Sequence, residues 1–248
     1  MVKDPRRGTD LSGMEKAGPL ARARRAASRA AARRRLRACA AGPSSPRAGG
    51  PLAPEPDAAR HPALAPSACP DRLNRQLADR IPRMERHQRA VAETAGLVAR
   101  HVGLRDEHLH AVVRAAELHD VGKVLVPDAI LNKPGALSED ELALMRRHAI
   151  AGYLILIGSA EPPAVAALVR SSHERWDGTG YPDGLGGDAI PLGARIISIC
   201  DAYDAMTNDR PYRRARSDAE ALDELSLGAG IRYDPCLVAV VPKRALTA

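Results

Sequence analysis

Glu117-Leu118-His119-Asp120-Val121-Gly122-Lys123 closes a run that opens at Asp106 and carries Leu109, Val112, Val113, Ala116 and Leu118. Three- and four-residue intervals between apolar side chains are the period of one helix face. The run therefore predicts a helix that ends on an imidazole and a carboxylate side by side. Adjacent helical residues point about 100° apart, so neither His119 nor Asp120 blocks the other. At a frayed helix end both can turn onto one object, and a divalent cation is the natural candidate. Imidazole with carboxylate suits zinc, manganese or iron, whereas carboxylates alone would suit magnesium or calcium. A His-Asp pair recurs by chance, however, and most such pairs are surface polar groups. Its meaning depends on what the rest of the chain places beside it.

Helical spacing continues on both sides. Upstream, Leu73, Leu77, Ile81 and Met84 form one set with Pro82 as a kink or boundary, and Val91, Ala95, Val98 and Val102 form another. His87 lies four residues before Val91 on its apolar side, where a lone histidine is usually a packed core residue. Downstream, Pro127 to Leu137 reads as a loop turning at Asn132-Lys133-Pro134-Gly135. Ser138-Glu139-Asp140-Glu141 is a capping box. It predicts a helix through Leu142, Met145, Ala149 and Tyr153, with His148 beside that set. Pro162-Pro163 restarts the chain, and Val165, Leu168 and Val169 lead to Ser171-Ser172-His173-Glu174.

Five glycines in the eleven residues from Asp177 to Gly187 mark either a loop that can approach a ligand or a plain connector. Pro191 then opens a helix through Ala194, Ile196, Ile197, Ile199, Cys200 and Met206, with Asp201 and Asp204 three apart on one face. A carboxylate on an aliphatic helix is costly to bury unless paired or ligating. Arg195 and Arg210 offer an ion-pair explanation for one of the two. Ser217 to Glu220 caps a last helix, and Ile231 to Pro235 turns into a short apolar tail. Only the short runs near Val124 and Val238 could be strands, and no strand–helix alternation appears. The expectation is an all-α domain over residues 72–242, with 243–248 as a tail.

Residues 1–71 read differently. The first 70 hold ten of the twenty prolines and 14 Lys and Arg against 5 Asp and Glu, leaving 23 against 25 for the remainder. The net charge of +7 thus comes from a basic, Ala/Arg/Pro-rich segment expected to be disordered. An arm for nucleic acid or anionic membrane competes there with a plain solvated tail, and the tail is the simpler reading. Cys39, Cys69, Cys200 and Cys236 form no CxxC pair, which argues against a thiolate zinc site and fits a reducing, cytoplasmic setting. No run of 18 apolar residues predicts a membrane span.

Singly, each histidine is ordinary. Together, His87, His119, Asp120, His148, His173 and Asp201 mark the ends or inner faces of successive helices, and a helical bundle can gather such positions in its interior. The motifs Leu118 to Lys123, Pro127 to Gly135, His173-Glu174-Arg175-Trp176-Asp177-Gly178-Thr179-Gly180-Tyr181-Pro182, Asp201 to Thr207 and Arg210-Pro211-Tyr212 follow in order. In these the chain resembles the HD-GYP phosphodiesterases of bacterial cyclic di-GMP signalling, over residues 80–240.

The resemblance implies an HD-type helical bundle and a two- or three-metal centre of iron or manganese. It implies the six residues above as ligands, with Asp120 bridging. It implies a metal-bridged hydroxide that cuts cyclic di-GMP to the linear dinucleotide pGpG and/or GMP. Lys123 resembles the family's lysine beside the scissile phosphate, and Gly180, Tyr181, Pro182 and Arg210 resemble groups that contact the substrate. The Gly-Tyr-Pro loop resembles one that also meets a GGDEF-type partner. Two positions depart from the family: Arg83 stands where a glutamate is common, and Ser172 where a second histidine precedes the glutamate. The resemblance implies that both lost groups are ligands in three-metal members, so a two-metal site without the third is expected, with Ser172 able to weaken the second metal as well. The departures also keep open a catalytically weak cyclic di-GMP sensor or adaptor.

Overall fold

The computed structural model describes residues 69–209 and 214–241, and all regular structure among them is helical. Seven helices precede or build the core in chain order: α1 (Pro70–Arg80), α2 (Met84–His101), α3 (Asp106–Leu118), α4 (Asp128–Leu131), α5 (Glu139–Arg146), α6 (His148–Ile157) and α7 (Pro163–Arg170). They are followed by α8 (Leu192–Thr207), α9 (Asp218–Leu227) and α10 (Pro235–Val238), with 3-10 turns at Val121–Leu125 and Gly187–Ala189. The all-α expectation holds. Only the isolated bridges Asp177–Gly186 and Ala229–Tyr233 have β geometry among the described residues.

α2, α3 and α8 pack on one another, and α7 covers α3. Their contact is lined by Val91, Ala95 and Val98 of α2, Val112, Ala115 and Ala116 of α3, Val169 of α7 and Ile196, Ile197 and Cys200 of α8. With no phenylalanine in the chain, this core is aliphatic. Its alanines let backbones approach closely where larger side chains would hold them apart.

Boundaries follow local chemistry. α1 ends before Pro82, and Arg83 adopts a left-handed conformation (φ +68°) to turn the chain into α2. Ser138 with Glu141, and Ser217 with Glu220, form reciprocal capping boxes at α5 and α9. Other expectations are corrected. The segment 127–137 contains the one-turn helix α4. The helix expected from Ser138 through Tyr153 is two helices broken at Arg147. The runs near Val124 and Val238 are a 3-10 turn and a helical turn, not strands. Each is a few residues long with no neighbouring strand to share its backbone hydrogen bonds, so local helical pairing is what remains.

No helix among the described residues is long and apolar enough to cross a membrane. Residues 1–68, the Arg210-Pro211-Tyr212 motif and the tail from 242 lie outside the described residues.

Candidate metal centre

α3 ends at Leu118, His119 serves as its C-cap, and Asp120 leaves helical geometry (φ −102°, ψ 0°) to enter the 3-10 turn. That change of course lets both side chains face the same interior. There they meet groups from α2, α6, the α7–α8 loop and α8 in two triads. His87 Nε2 lies 3.3 Å and His119 Nε2 4.0 Å from Asp201 Oδ1. Asp120 Oδ1 lies 3.6 Å from His148 Nε2, which in turn is 2.8 Å from His173 Nε2. Each residue of a triad offers one atom within 4.8 Å of the others. Asp120 joins the two, since its Oδ2 is 3.6 Å from His119 Nε2.

The histidines are aimed by their other nitrogen. His119 Nδ1 donates to the Ala116 carbonyl at 2.8 Å, and His148 Nδ1 donates to the Met145 carbonyl at 2.7 Å. Both carbonyls sit in the last turn of a helix, where carbonyls are short of intrahelical partners and can take a further donor. With Nδ1 engaged as the donor, Nε2 is the atom each ring turns toward the interior. His119 and Asp120 are 1% and 2% exposed, yet His119 Nε2 and Asp120 Oδ1 have no hydrogen-bond partner. Leaving such atoms unsatisfied costs about 1–3 kcal/mol each. Two buried, electron-rich atoms pointing into one space are a cation's complement, and the N/O donor set without thiols suits a first-row divalent metal.

Charge in the site is similarly prepared. Burial would raise the Asp120 carboxyl, but the Lys123 ammonium beside it holds it well below the usual carboxylate range. Burial pushes His173 down to about 3, reinforced by His148, which burial also lowers. Both rings are therefore neutral at neutral pH, with lone pairs available to a cation. His87 is the opposite case: burial opposes its charge, but hydrogen bonds to Asp201 and Asp204 carry its pKa up to about 10.

The family profile described as "HD domain" matches residues 72–237. The chain belongs to the HD domain family. The HD-GYP resemblance stands with it, since this HD domain is 46% identical over 158 residues to the "cyclic di-GMP phosphodiesterase response regulator RpfG" of Xanthomonas campestris pv. campestris, covering 62% of this chain and 42% of the relative. It is 38% identical over 154 residues to "3'3'-cGAMP-specific phosphodiesterase 2" of Vibrio cholerae, covering 61% and 30%. The chain thus spans well under half the length of these relatives. Among solved structures, an HDG"Y"P protein of Bdellovibrio bacteriovorus, Bd1817, superposes with a TM-score of 0.51 at 23% identity, covering 62% of this chain and 49% of that one. That likeness supports the fold.

Around the HD domain's two triads the remaining predicted residues fall as follows. Lys123, one 3-10 turn after Asp120, donates to Asp120 Oδ2 at 2.6 Å. Tyr181 stacks on His173 with ring centres 5.2 Å apart and 13° between planes, and Gly180 and Pro182 flank it. Gly180 leaves no room for a Cβ, which would meet the Arg175 amide nitrogen and lie 2.5 Å from Glu174 Cα. Arg210 lies outside the described residues. The two departures are engaged with backbone carbonyls. Ser172 donates its hydroxyl to the Val169 carbonyl at 2.9 Å, and exposed Arg83 reaches the Asp209 carbonyl at 3.0 Å.

Two residues had no assigned role in the sequence. Asp204 Oδ2 accepts from His87 Nδ1 at 2.6 Å, so it orients that ring. The expected Arg195 partner instead pairs with Asp188 and Asp234. The spacing of Asp201 and Asp204 was the signal available, but it named no imidazole. Glu174 accepts from the amides of Asp183 at 2.7 Å and Leu185 at 3.1 Å, folding the glycine-rich loop back toward His173.

Proposed function

We propose that this HD domain is a metal-dependent phosphodiesterase that hydrolyses cyclic di-GMP to pGpG and/or GMP. The observation that carries the reading is the pair of triads joined through Asp120, with His119 Nε2 and Asp120 Oδ1 buried and unpartnered. His87, His119 and Asp201 would hold one cation, and Asp120, His148 and His173 the other. Iron or manganese fits the donors. Two such cations supply Lewis acidity and a water of lowered pKa.

The protein's own groups do the rest. Asp120 stays ionised between the two triads. Lys123 keeps a positive charge beside it, where negative charge on a phosphodiester would build. Gly180, Tyr181, Pro182 and Arg210 would seat the nucleotide. The names of the two relatives, one for cyclic di-GMP and one for 3'3'-cGAMP, support a cyclic dinucleotide substrate. Such a substrate belongs in the cytoplasm, and the Gly-Tyr-Pro loop is the surface offered to a GGDEF-type partner.

Two metals are proposed rather than three, because Ser172 spends its hydroxyl on Val169 and Arg83 is turned outward. The same two residues favour a second reading, a weakly catalytic nucleotide sensor. Cyclic di-GMP turnover with Mn²⁺ or Fe²⁺ decides between them, with Asp120→Ala as the control. Tight binding with no substrate loss supports the sensor. Metal analysis on the same preparation should give two ions per chain, and three would overturn the two-metal assignment.

A further inference from the structure

The Arg80 guanidinium, at the C-terminal end of α1, spends all three of its nitrogens on the segment that carries Lys123. Nη1 donates to the Val124 carbonyl at 2.6 Å, Nη2 to the Val126 carbonyl at 2.5 Å, and Nε to Asp128 Oδ1 at 2.8 Å. Lys123 sits immediately before the first of these carbonyls. A 3-10 turn as short as Val121–Leu125 has weak internal hydrogen bonds, and its last carbonyls lie beyond the reach of its own amides. A planar guanidinium holds two carbonyls in one rigid fork, whereas an ammonium's rotatable donors set no such geometry. On the opposite flank Gly122 is pressed against the His148 carbonyl and the Gly152 amide of α6. The turn is thus gripped from both sides, by close backbone packing and by one arginine.

We propose that Arg80 is a positioning residue for Lys123: by clamping the Val124 and Val126 carbonyls it sets where the Lys123 ammonium stands relative to Asp120 and the scissile phosphate. The Arg80 side chain bonds Val124, Val126 and Asp128 and none of the six candidate ligands, so its influence runs through the turn. The inference rests on the phosphodiesterase reading for its kinetic consequence, but not for its structural one.

The test is a double-mutant cycle on the full chain loaded with Mn²⁺, using Arg80→Met, Lys123→Met and both together. Arg80→Met should lower kcat by about 10- to 100-fold, the range for outer residues that orient catalytic groups. KM and metal content should stay near wild type. In the Lys123→Met background, Arg80→Met should cost nothing further, because its effect is already lost. An equal fold-loss in both backgrounds, or an unchanged kcat, overturns the proposal. Arg80→Lys keeps the charge and rotatable donors but loses the fixed fork, so it should fall between wild type and Arg80→Met, which covers the case where the methionine variant does not fold. A second readout needs no turnover. In protein with ¹³C-labelled lysine, the Lys123 Cε resonance should shift in the Arg80 variants, and an unshifted resonance overturns the proposal. An inactive wild type with a shifted Lys123 resonance would sink the phosphodiesterase reading and leave the Arg80 clamp standing.

Discussion

His87 and Asp204 are bound Nδ1 to Oδ2 at 2.6 Å, although 117 residues separate them. The same carboxylate accepts from the Asn208 amide at 2.6 Å through its other oxygen. Asp204 is therefore held in place, and it in turn holds the imidazole whose Nε2 faces Asp201. Carboxylates behind metal-facing histidines typically contribute about 10- to 100-fold in metal affinity. Asp204→Ala should weaken metal binding at the His87–His119–Asp201 triad by that amount. Titration of the chelated protein with Mn²⁺ checks it, and an unchanged isotherm would show that His87 needs no such support.

The opposed shifts of His87 and His173 predict how the metal-free protein responds to pH. His87 has its pKa raised to about 10. Its contribution to stability is complete below the unfolded value of about 6.5 and fades as pH rises toward 10. His173 is lowered to about 3. Its contribution is complete above about 6.5 and fades as pH falls toward 3. Chelated protein should therefore be most resistant to urea near pH 6.5 and weaker on both sides. His87→Gln should flatten the alkaline limb and spare the acid one. An alkaline limb that persists unchanged in that variant would assign it to some other group.

Glu174 should act on substrate rather than on metal. Its carboxylate is buried, and burial raises its pKa despite the amides of Asp183 and Leu185 that donate to it. Those bonds shape the loop that lays Tyr181 on His173. Arg170 adds a two-pronged grip on Asp183 at 2.7 and 2.8 Å. Glu174→Ala frees the amides and loosens the loop, so KM should rise several-fold while metal content stays near wild type. Metal loss with an unaltered KM would mean the loop serves the ligands instead.

Much of this arrangement is legible in the amino-acid sequence, and the gaps have physical causes. Chain breaks were legible where a residue carries its own reason to end or begin a helix, as at Pro82, Ser138, Pro163 and Ser217. Nothing local marks the break at Arg147, because Leu142, Met145, Ala149 and Tyr153 keep helical spacing straight through it. That break belongs to tertiary packing, with His148 pressed on the turn at Gly122. The six side chains of the two triads are ordinary one by one, and it was their succession at helix ends and inner faces, together with the HD-GYP resemblance, that singled them out. Asp204 shares a helix face with Asp201, but its distant partner left an arginine as the obvious guess. Arg80 carried no signal at all. An arginine at the end of a helix is ordinary until the carbonyls opposite it are known.

Gly122 supplies the sharpest steric prediction. A Cβ there would run into the His148 carbonyl oxygen, with the Gly152 nitrogen at 2.5 Å and the His148 carbonyl carbon at 2.9 Å. These are backbone atoms of α6, so no side chain can rotate away to make room. Overpacking of this kind costs about 1–3 kcal/mol or more. In Gly122→Ala, either the turn bearing Asp120 and Lys123 or the first turn of α6 bearing His148 must move. Both movements separate Asp120 from His148. The variant should therefore lose stability toward urea and, unlike a surface change, lose metal as well. Gly158→Ala is the matched control, since its Cβ would meet only ordinary contacts at 3.4 Å and beyond. A Gly122→Ala protein with wild-type stability and full metal content would mean that the turn and α6 do not approach this closely.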